Sequence, residues 1–550
     1  MRRLLALAVV IALCAGPLIG VQAAGAAVVA VTAAIQGSGS TWAQNAVDQW
    51  IYDVTAQNLQ VNFTGSGSAQ GRTDFRNDTN DFAVSDIGFQ GADPSTGAND
   101  TNCQNVNPLS DCRPYVYLPI VAGGTSFPYQ IRVGGKLVTN LRLSGETLAK
   151  IFTLQITNWD NSEITKDNNG HQLPDLPIIP VVDSQGSGTS AQFSRYLATD
   201  YDSIWKPYSG GQGMTEYFPR QGDEVAESGS DSIIDFVTSA AANGAIGYDE
   251  YSYALQKNWP VALVENKAGY FTAPTQYNVA VALTKAQINT DKSSANYLLQ
   301  NLNNVYVNPD KRTYPLSSYS YMIIPTSSTD PRMSTPKRQA LADFIDYSIC
   351  AGQGQMGPIG YSPLPINLAQ AAFEQMDKLH TADPAVQISQ LNVAKDCSNP
   401  TFWAGHLNQN YLAHIAPEPP SCDEVGHGPC GGSSGVGSTK NPVNGKAPAP
   451  ASSSSAPSTS SSASSSTSPS PGASASTGAP GATTGGNSGN SGNSGNSTGQ
   501  TLAGSPTTIG ASEGSGIGGL LAVLAAAEVL LLLALPPIIA RRRQQRRTGR

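Results

Sequence analysis

The sequence predicts an α/β protein with two lobes, and three observations support this fold class. Strand-like apolar runs alternate with segments of helical periodicity, as where Ile178 to Val182 is followed by Thr189 to Leu197. The part of the chain with this alternation is about 400 residues long, enough for two lobes with separate cores. Three loops rich in Gly, Ser and Thr each join a strand to a helix, and open α/β sheets bind ligands at such places.

The N-terminus has the layout of a secretory signal peptide. Met1-Arg2-Arg3 is followed by an apolar run from Leu4 to Leu13 and by small residues around Ala24 to Ala27. We expect cleavage near Ala26 or Ala27, so that residues 1–27 are removed. Cys14 follows Leu13, where a lipoprotein signal requires a small residue, and this favours an ordinary signal peptide over a lipid anchor.

The cysteine pattern predicts disulfides. The chain has seven cysteines, and six remain once Cys14 is removed with the signal peptide. An even number in an exported chain is typical of disulfide bonding. Proximity in the sequence favours the pairs Cys103–Cys112, Cys350–Cys397 and Cys422–Cys430, although many other connectivities are open. A zinc site at Cys422, His427 and Cys430 is disfavoured because no fourth ligand has a familiar spacing.

The C-terminal part of the chain has the composition of a stalk and a membrane anchor. Residues 440–516 consist mainly of Ser, Gly, Pro, Thr and Ala, too polar to form a core, and we expect a disordered linker. Residues 517–540 are apolar except for Glu528, whose role is open, and are long enough to span a bilayer. The basic residues 541–550 predict a cytoplasmic C-terminus and an extracellular folded part. A Leu-Pro-x-Thr-Gly motif is absent from the sequence, which favours a membrane tether over a cell-wall linkage.

Composition excludes several functional classes. The formal net charge is -8, and 13% of the residues are charged, with basic residues clustered only at the C-terminus, so we expect no nucleic-acid partner. The five histidines have no metal-ligand spacing. Neither Ser68 nor Ser187 lies in a Gly-x-Ser-x-Gly motif beside an acid–base partner. We therefore expect no metal, no cofactor and no catalysed reaction.

The three polar loops are candidate anion sites. They are Gln36 to Trp42, Gly65 to Gly71 and Asp183 to Ser190, and each leads into a segment of helical periodicity. Glycine lets the backbone approach a ligand closely, and the first N–H groups of a helix have no partner within the helix. Together with the helix dipole and the Ser and Thr hydroxyls, such helix starts can bind a small oxyanion.

A series of motifs supports a more specific interpretation. In chain order they are Gly37-Ser38-Gly39-Ser40-Thr41-Trp42, Gly65-Ser66-Gly67-Ser68, Asp81-Phe82-Ala83-Val84-Ser85-Asp86, Leu141 to Phe152 with Ile156-Thr157-Asn158-Trp159-Asp160, Gly186-Ser187-Gly188-Thr189-Ser190, Gly244-Ala245-Ile246-Gly247-Tyr248, Tyr314-Pro315-Leu316 and Tyr361-Ser362-Pro363-Leu364-Pro365. In this order they resemble the phosphate-binding protein of Pst-type ABC importers, a type II periplasmic binding protein. The resemblance covers roughly Ile35 to Glu374.

The resemblance implies two lobes with a hinge between them. We expect the first lobe to comprise residues 28–120 and 266–398, the second lobe residues 121–265, and a C-terminal appendage residues 399–439. Carried over by position, the implied ligand contacts are Thr41, Trp42, Ser68, Asp86, Ser187, Gly188 and Thr189. An ionised Asp86 has no donor and can accept only from a protonated oxyanion, which admits hydrogen phosphate and rejects sulfate.

The third loop departs from the family pattern. Asp183 stands where the family has an arginine that contacts the ligand, and Gln185 replaces an acidic residue. The change removes a fixed positive charge and adds a carboxylate that disfavours a dianion unless one carboxylate is protonated. Arg72 is a possible replacement for that charge. The alternative is that Arg72 is solvated and Asp183 points away or caps a turn.

The expected protein is an extracellular receptor anchored in the cell membrane by a single span. It would close around inorganic phosphate and deliver it, as a monomer, to an ABC permease in the same membrane. Two alternatives remain open: a receptor for another small oxyanion or polar ligand, because of Asp183, and a stalked surface or adhesion module. An enzyme is the weakest of the hypotheses.

Overall fold

A computed structural model describes residues 33–92, 99–100, 113–389 and 393–430 of the chain. The signal peptide, the Cys103–Cys112 pair, the stalk, the apolar segment 517–540 and the basic tail lie outside these residues. Among the residues that are described, no helix is long and apolar enough to cross a membrane.

The strands and helices alternate along the chain. The strands are β1 (Ile35–Gly39), β2 (Val61–Gly65), β3 (Phe82–Ser85), β4 (Gly91–Ala92), β5 (Asn99–Asp100), β6 (Tyr115–Ser126), β7 (Arg132–Val133), β8 (Lys136–Leu137), β9 (Arg142–Leu143), β10 (Ile179–Asp183), β11 (Val225–Glu227), β12 (Ala245–Gly247), β13 (Asp249–Glu250), β14 (Leu263–Glu265), β15 (Phe271–Thr272), β16 (Gln287–Ile288), β17 (Gln300–Asn301) and β18 (Ser317–Pro325). The α-helices are α1 (Gln44–Thr55), α2 (Ser68–Arg76), α3 (Gly145–Ile151), α4 (Ser162–Asp167), α5 (Gly188–Asp200), α6 (Asp202–Ser209), α7 (Gly229–Thr238), α8 (Tyr251–Gln256), α9 (Gln276–Leu283), α10 (Asn303–Tyr306), α11 (Thr335–Ile349), α12 (Met356–Ile359), α13 (Ile366–Ala382), α14 (Val393–Asp396) and α15 (Tyr411–Ile415).

The first lobe is built on a six-stranded sheet with the order β13-β6-β18-β3-β1-β2. Strand β1 pairs in parallel with β2 and β3, whereas β18 runs antiparallel to both β3 and β6. Buried aromatic residues such as Trp50, Phe82 and Phe344 fill the space between this sheet and its helices. The parallel strands β1, β2 and β3 end at the same edge, where the first two polar motifs turn into helices. The predicted first loop is shorter than expected, because its residues Gln36 to Gly39 belong to β1.

The second lobe contains two small sheets, β11-β10-β12 and β15-β14-β9. All pairs in the first of these sheets are parallel. The third polar loop follows its central strand, β10. Phe152, Phe193, Phe218 and Tyr248 form an aromatic core behind this loop, with neighbouring rings 5.1–6.5 Å apart. Trp159 and Trp205 are also fully buried, as core residues.

The strand pairing extends past the expected boundaries at residues 120 and 265, and between them β13 pairs with the end of β6 although β12 and β14 belong to sheets of the second lobe. Strand β6 stays paired with β18 as far as Gly124, and its last residue, Ser126, pairs with β13. The ring of Phe127 then packs against Phe152 and Phe193 in the second lobe. The chain leaves that lobe after β15, because β14 and β15 are paired there. Continuous strand pairing therefore sets the boundaries.

The C-terminal segment packs on both lobes. The Arg142 guanidinium of the second lobe donates to the backbone oxygens of Cys422 and His427 at 2.9 and 2.7 Å. Helix α15 packs against α9 beside the first lobe. The disulfides Cys350–Cys397 and Cys422–Cys430 are present, as predicted. Cys422 and Cys430 also lie beside Asp423, but their sulfurs are bonded to each other and are not available as metal ligands.

Candidate functional site

The first loop turns sharply at the end of β1. Gly39 has a φ of +139°, and a Cβ atom there would lie 2.0 Å from the backbone oxygen of Val84, so no other residue fits. The following Ser40 hydroxyl lies 2.9 and 2.8 Å from the two carboxylate oxygens of Asp86, to which it donates. The same oxygen accepts the N–H of Ala43 at 3.1 Å, which fixes the start of α1.

The second loop delivers another hydroxyl to the same carboxylate. Gly67 has a φ of +86° and precedes Ser68, the first residue of α2. The Ser68 hydroxyl donates to Asp86 Oδ2 at 3.1 Å. Asp86 follows β3 directly and is only 2% exposed, so its carboxylate is held by hydroxyls from two helix starts.

The third loop approaches Asp86 from the second lobe. Ser187 caps α5, because its hydroxyl accepts the N–H of Ser190 at 3.3 Å. The next residue, Gly188, lies so close to the first lobe that a Cβ atom there would be 2.2 Å from Asp86 Oδ2 and 2.6 Å from Ser68 Oγ. The sequence-predicted residues Ser68, Asp86 and Gly188 are therefore brought together.

The three helix starts present unused donors. Within the described part of the chain, no protein acceptor receives the N–H groups of Thr41, Trp42, Ser68, Gly188 and Thr189. Buried N–H groups normally have partners, so a cluster of unused ones indicates a place for an acceptor from outside the chain. Helix N-termini with such groups favour anions.

The cleft between the lobes is closed. The Ala69 N–H donates to the Gly186 backbone oxygen at 3.1 Å, and the Gln192 side-chain amide donates to the Asp86 backbone oxygen at 2.8 Å. The Ser230 hydroxyl donates to the Thr41 hydroxyl at 3.2 Å. Thr41, Ser68, Asp86, Ser187 and Thr189 are all buried. An anion at the unused donors would be screened from water, which strengthens each hydrogen bond.

Burial raises the pKa of the Asp86 carboxyl above its usual value. The nearby hydroxyls of Ser320, Ser40 and Ser68 oppose this shift because they favour the ionised form, and the positive charge of Arg72 opposes it further. The carboxylate is thus an acceptor surrounded by rotatable hydroxyl groups.

Asp183 is also buried, but its carboxylate caps a turn in the second lobe. Its Oδ1 atom accepts the backbone N–H groups of Gln185 at 3.1 Å and Gly229 at 3.3 Å. Burial raises the pKa of Asp183 to about 6 despite these bonds. The sequence left open whether Asp183 lies near the ligand or points away or caps a turn, and the structure matches the turn cap.

Arg72 is fully buried, and the expectation of a solvated arginine is wrong. Its guanidinium donates to Glu216 at 2.6 Å and to the Ser85 hydroxyl at 2.8 Å. Glu216 is buried as well. Sequence reasoning thus missed Glu216, and also the direct contacts of Ser40 and Gln192 with Asp86. Ser40 lies inside the first motif, and Gln192 lies one helical turn after Gly188.

Trp42 contributes its backbone rather than its ring. The indole is buried in the first lobe, 5.8 Å from the Tyr361 ring between centroids. It also occupies the space beside Gly123, where a Cβ atom would lie 2.7 Å from it. The side chain therefore belongs to the core.

Comparison with known proteins assigns the family. The family model of the PBP superfamily domain matches residues 23–351. Phosphate-binding protein PstS 2 of Mycobacterium tuberculosis is 30% identical over 335 residues, which cover 60% of this chain and 83% of that protein. The chain belongs to the PstS family of phosphate-binding proteins. A second PstS relative, from Methanocaldococcus jannaschii, is 28% identical over 357 residues, which cover 63% of this chain and 87% of that protein.

One solved structure matches the chain at low similarity. It is a high affinity periplasmic phosphate-binding protein with bound phosphate, which matches 65% of this chain and 100% of its own length with a TM-score of 0.49 and 20% identity. Family membership rests on the sequence comparisons and not on this likeness.

Proposed function

We propose that this chain is an extracellular receptor that binds inorganic phosphate in the closed cleft. The observation that carries the proposal is the convergence of unused N–H groups from three helix starts on the buried carboxylate of Asp86. The names of the PstS relatives support phosphate as the ligand.

Asp86 would select the protonation state of the ligand. The N–H groups of Thr41, Trp42, Gly188 and Thr189 donate to oxygens of the anion, and an ionised Asp86 accepts the proton that hydrogen phosphate carries. Sulfate has no such proton at neutral pH, so its oxygen would face an unpaired buried carboxylate. Sites with such a requirement discriminate by a factor of about 10⁴.

Delivery to an ABC permease and anchoring in the membrane are part of the proposal. Support comes from the family and from the composition of residues 440–550, where a polar linker precedes an apolar stretch and a basic end. A tether would keep the receptor near its permease and raise its effective concentration there. The folded part would then lie outside the cell, as a monomer.

A receptor for a different oxyanion is the second candidate function. It is favoured by the buried Asp183 carboxylate, which adds negative charge to the loop that holds Gly188 and Thr189. Position 183 therefore carries a negative charge where the family has a positively charged arginine.

Calorimetric titration of the full chain tests the proposal. We expect micromolar or tighter binding of phosphate and no measurable binding of sulfate at equal concentration. Arsenate, which has the same protonation chemistry, should compete with phosphate. Tight binding of sulfate, or binding of neither anion by folded protein, would contradict the proposal and favour the second candidate.

A further inference from the structure

One buried ion pair crosses the cleft. Arg72 lies on α2 in the first lobe, and Glu216 lies in the second lobe between α6 and β11. Their side chains are 2.6 Å apart and are only 0% and 8% exposed. Since the partners belong to different lobes, the pair exists only when the cleft is closed.

Both ends of the ion pair are attached to the candidate anion site. Arg72 donates to the Ser85 hydroxyl at 2.8 Å, and Ser85 precedes Asp86. The backbone oxygen of Glu216 accepts the N–H of Ser187 at 2.8 Å, and Ser187 precedes Gly188. The pair thus connects the strand end that carries Asp86 with the loop that carries two of the unused donors.

We propose that Glu216 is a positioning residue for anion binding, which acts through Arg72 to hold the third loop against Asp86. Removing one partner of a buried ion pair is costly, because the remaining charge loses its compensation in a site away from water. Without Glu216, closure would bury the Arg72 charge beside Ser85 with this partner missing, so the closed cleft becomes less populated. The identity of the ligand rests on the proposed function, but the effect on closure does not.

The first lobe provides a matched control pair. Arg113 donates to both oxygens of Asp330 at 2.7 and 3.1 Å and also forms an ion pair with Asp78 at 3.1 Å. The side chains of Arg113 and Asp330 are 3% and 0% exposed, so this pair is as buried as Arg72 and Glu216. Both partners belong to the first lobe, and breaking this pair leaves the contact between lobes intact.

Hydrogen exchange of the ligand-free full chain measures closure directly. The acceptor of the Ala69 N–H is the Gly186 oxygen in the other lobe, whereas the Gly71 N–H donates to the Gly67 oxygen in its own lobe. We expect Glu216→Gln to accelerate exchange at Ala69 by about tenfold or more relative to Gly71. Asp330→Asn should leave the ratio of the Ala69 and Gly71 exchange rates within about twofold of the wild-type ratio, because residues in separate regions act independently.

Phosphate binding supplies the second readout. Glu216→Gln should weaken binding about tenfold, mainly through faster dissociation, because closure retains the ligand. The double variant Arg72→Gln with Glu216→Gln should bind more tightly than Glu216→Gln alone, since it removes both charges of this pair together.

Three results would overturn the inference. They are an Ala69 exchange rate unchanged by Glu216→Gln, an unchanged phosphate affinity in that variant, and strictly additive losses in the double variant. If the wild type binds no phosphate, the proposed function fails, and the exchange of Ala69 still decides whether Glu216 controls closure.

Discussion

Asp86 and Asp183 are two buried aspartates in equivalent places on opposite lobes. Asp86 follows β3 and Asp183 ends β10, and they are 2% and 4% exposed. Asp86 accepts from the hydroxyls of Ser40 and Ser68, whereas Asp183 accepts from backbone N–H groups of its own lobe.

This difference separates a ligand-facing carboxylate from a structural one. Hydroxyls can rotate and exchange partners when a ligand arrives, but backbone N–H groups of a folded turn cannot. Asp86 also lies directly against Gly188 of the other lobe, so it faces the place where an anion would bind. Asp183 stabilises a turn, and its charge opposes the binding of an anion.

Replacing Asp86 tests the ligand-facing role and should have the largest effect. In Asp86→Asn the side-chain amide can donate to sulfate, so we expect the phosphate-to-sulfate affinity ratio to fall from about 10⁴ to roughly 10 or less. Phosphate affinity itself should fall about ten- to hundredfold, the loss typical of a charged hydrogen bond. Competition titrations with both anions measure this ratio.

Asp81→Asn is the control for that prediction. Asp81 is a fully buried carboxylate of the same lobe, paired with Arg332 and Lys337 away from the three loops. Its replacement should lower stability but keep the selectivity. An unchanged phosphate-to-sulfate affinity ratio in Asp86→Asn would show that Asp86 does not accept a hydrogen bond from the ligand's proton.

Gly188→Ala tests how closely the lobes meet at Asp86. The added methyl group would lie 2.2 Å from Asp86 Oδ2, so the lobes must separate. Overpacking of this kind costs about 1–3 kcal/mol, which predicts roughly 5- to 150-fold weaker phosphate binding. Gly213→Ala, with no atom within 4 Å of the new methyl group, should bind like the wild type. Equal affinities of the two variants would contradict the close approach.

Asp183→Asn tests the structural role and should act in the opposite direction. An Asn oxygen can still accept the N–H groups of Gln185 and Gly229, but the charge is gone. We expect phosphate binding above the pKa of Asp183 to tighten, roughly tenfold for one nearby charge at an effective dielectric constant of about 20. Weaker phosphate binding by Asp183→Asn would show instead that the Asp183 carboxylate favours binding of the ligand.

The same variant should change the pH dependence of unfolding. Because the pKa of Asp183 is raised from 3.8 to about 6, wild-type stability from this group is full below pH 3.8 and is lost as the pH rises through about 6. Asp183→Asn should remove this loss, which is at most about 3 kcal/mol. Thermal unfolding across this range measures it, with the exposed Asp175→Asn as the control.

Trp42→Phe should have the smallest effect on binding. The indole packs in the core of the first lobe, and phenylalanine keeps the backbone N–H. We expect phosphate affinity within about threefold of the wild type, together with a stability loss of roughly 1–3 kcal/mol from the smaller ring. A large loss of affinity at unchanged stability would place the indole in the site.

The sequence predicts the architecture well where a local pattern exists. An apolar, β-branched run marks β10, and the glycines with hydroxyl residues mark all three loops. The sequence does not mark the end of β6, because Gly123-Gly124-Thr125-Ser126 lacks the apolar side chains of a buried strand. The structure shows that Trp42 and Pro274 occupy the space these glycines leave.

The ion pair across the cleft could not be predicted in this way. Arg72 and Glu216 are 144 positions apart, and Glu216 lies in a segment without regular secondary structure. A local charge pattern does not show which lobe surface will cover such a residue. For Asp183 the sequence offered a turn cap as an alternative, but it did not show that Gly229, in a different loop, is one of the two donors.

A crystal structure of the full chain with phosphate tests the central claim most directly. We expect the anion between the three helix starts, with its oxygens within hydrogen-bond distance of the N–H groups of Thr41, Gly188 and Thr189 and one oxygen against the Asp86 carboxylate. An anion bound elsewhere, or a cleft that closes on Asp86 with phosphate excluded, would contradict the account.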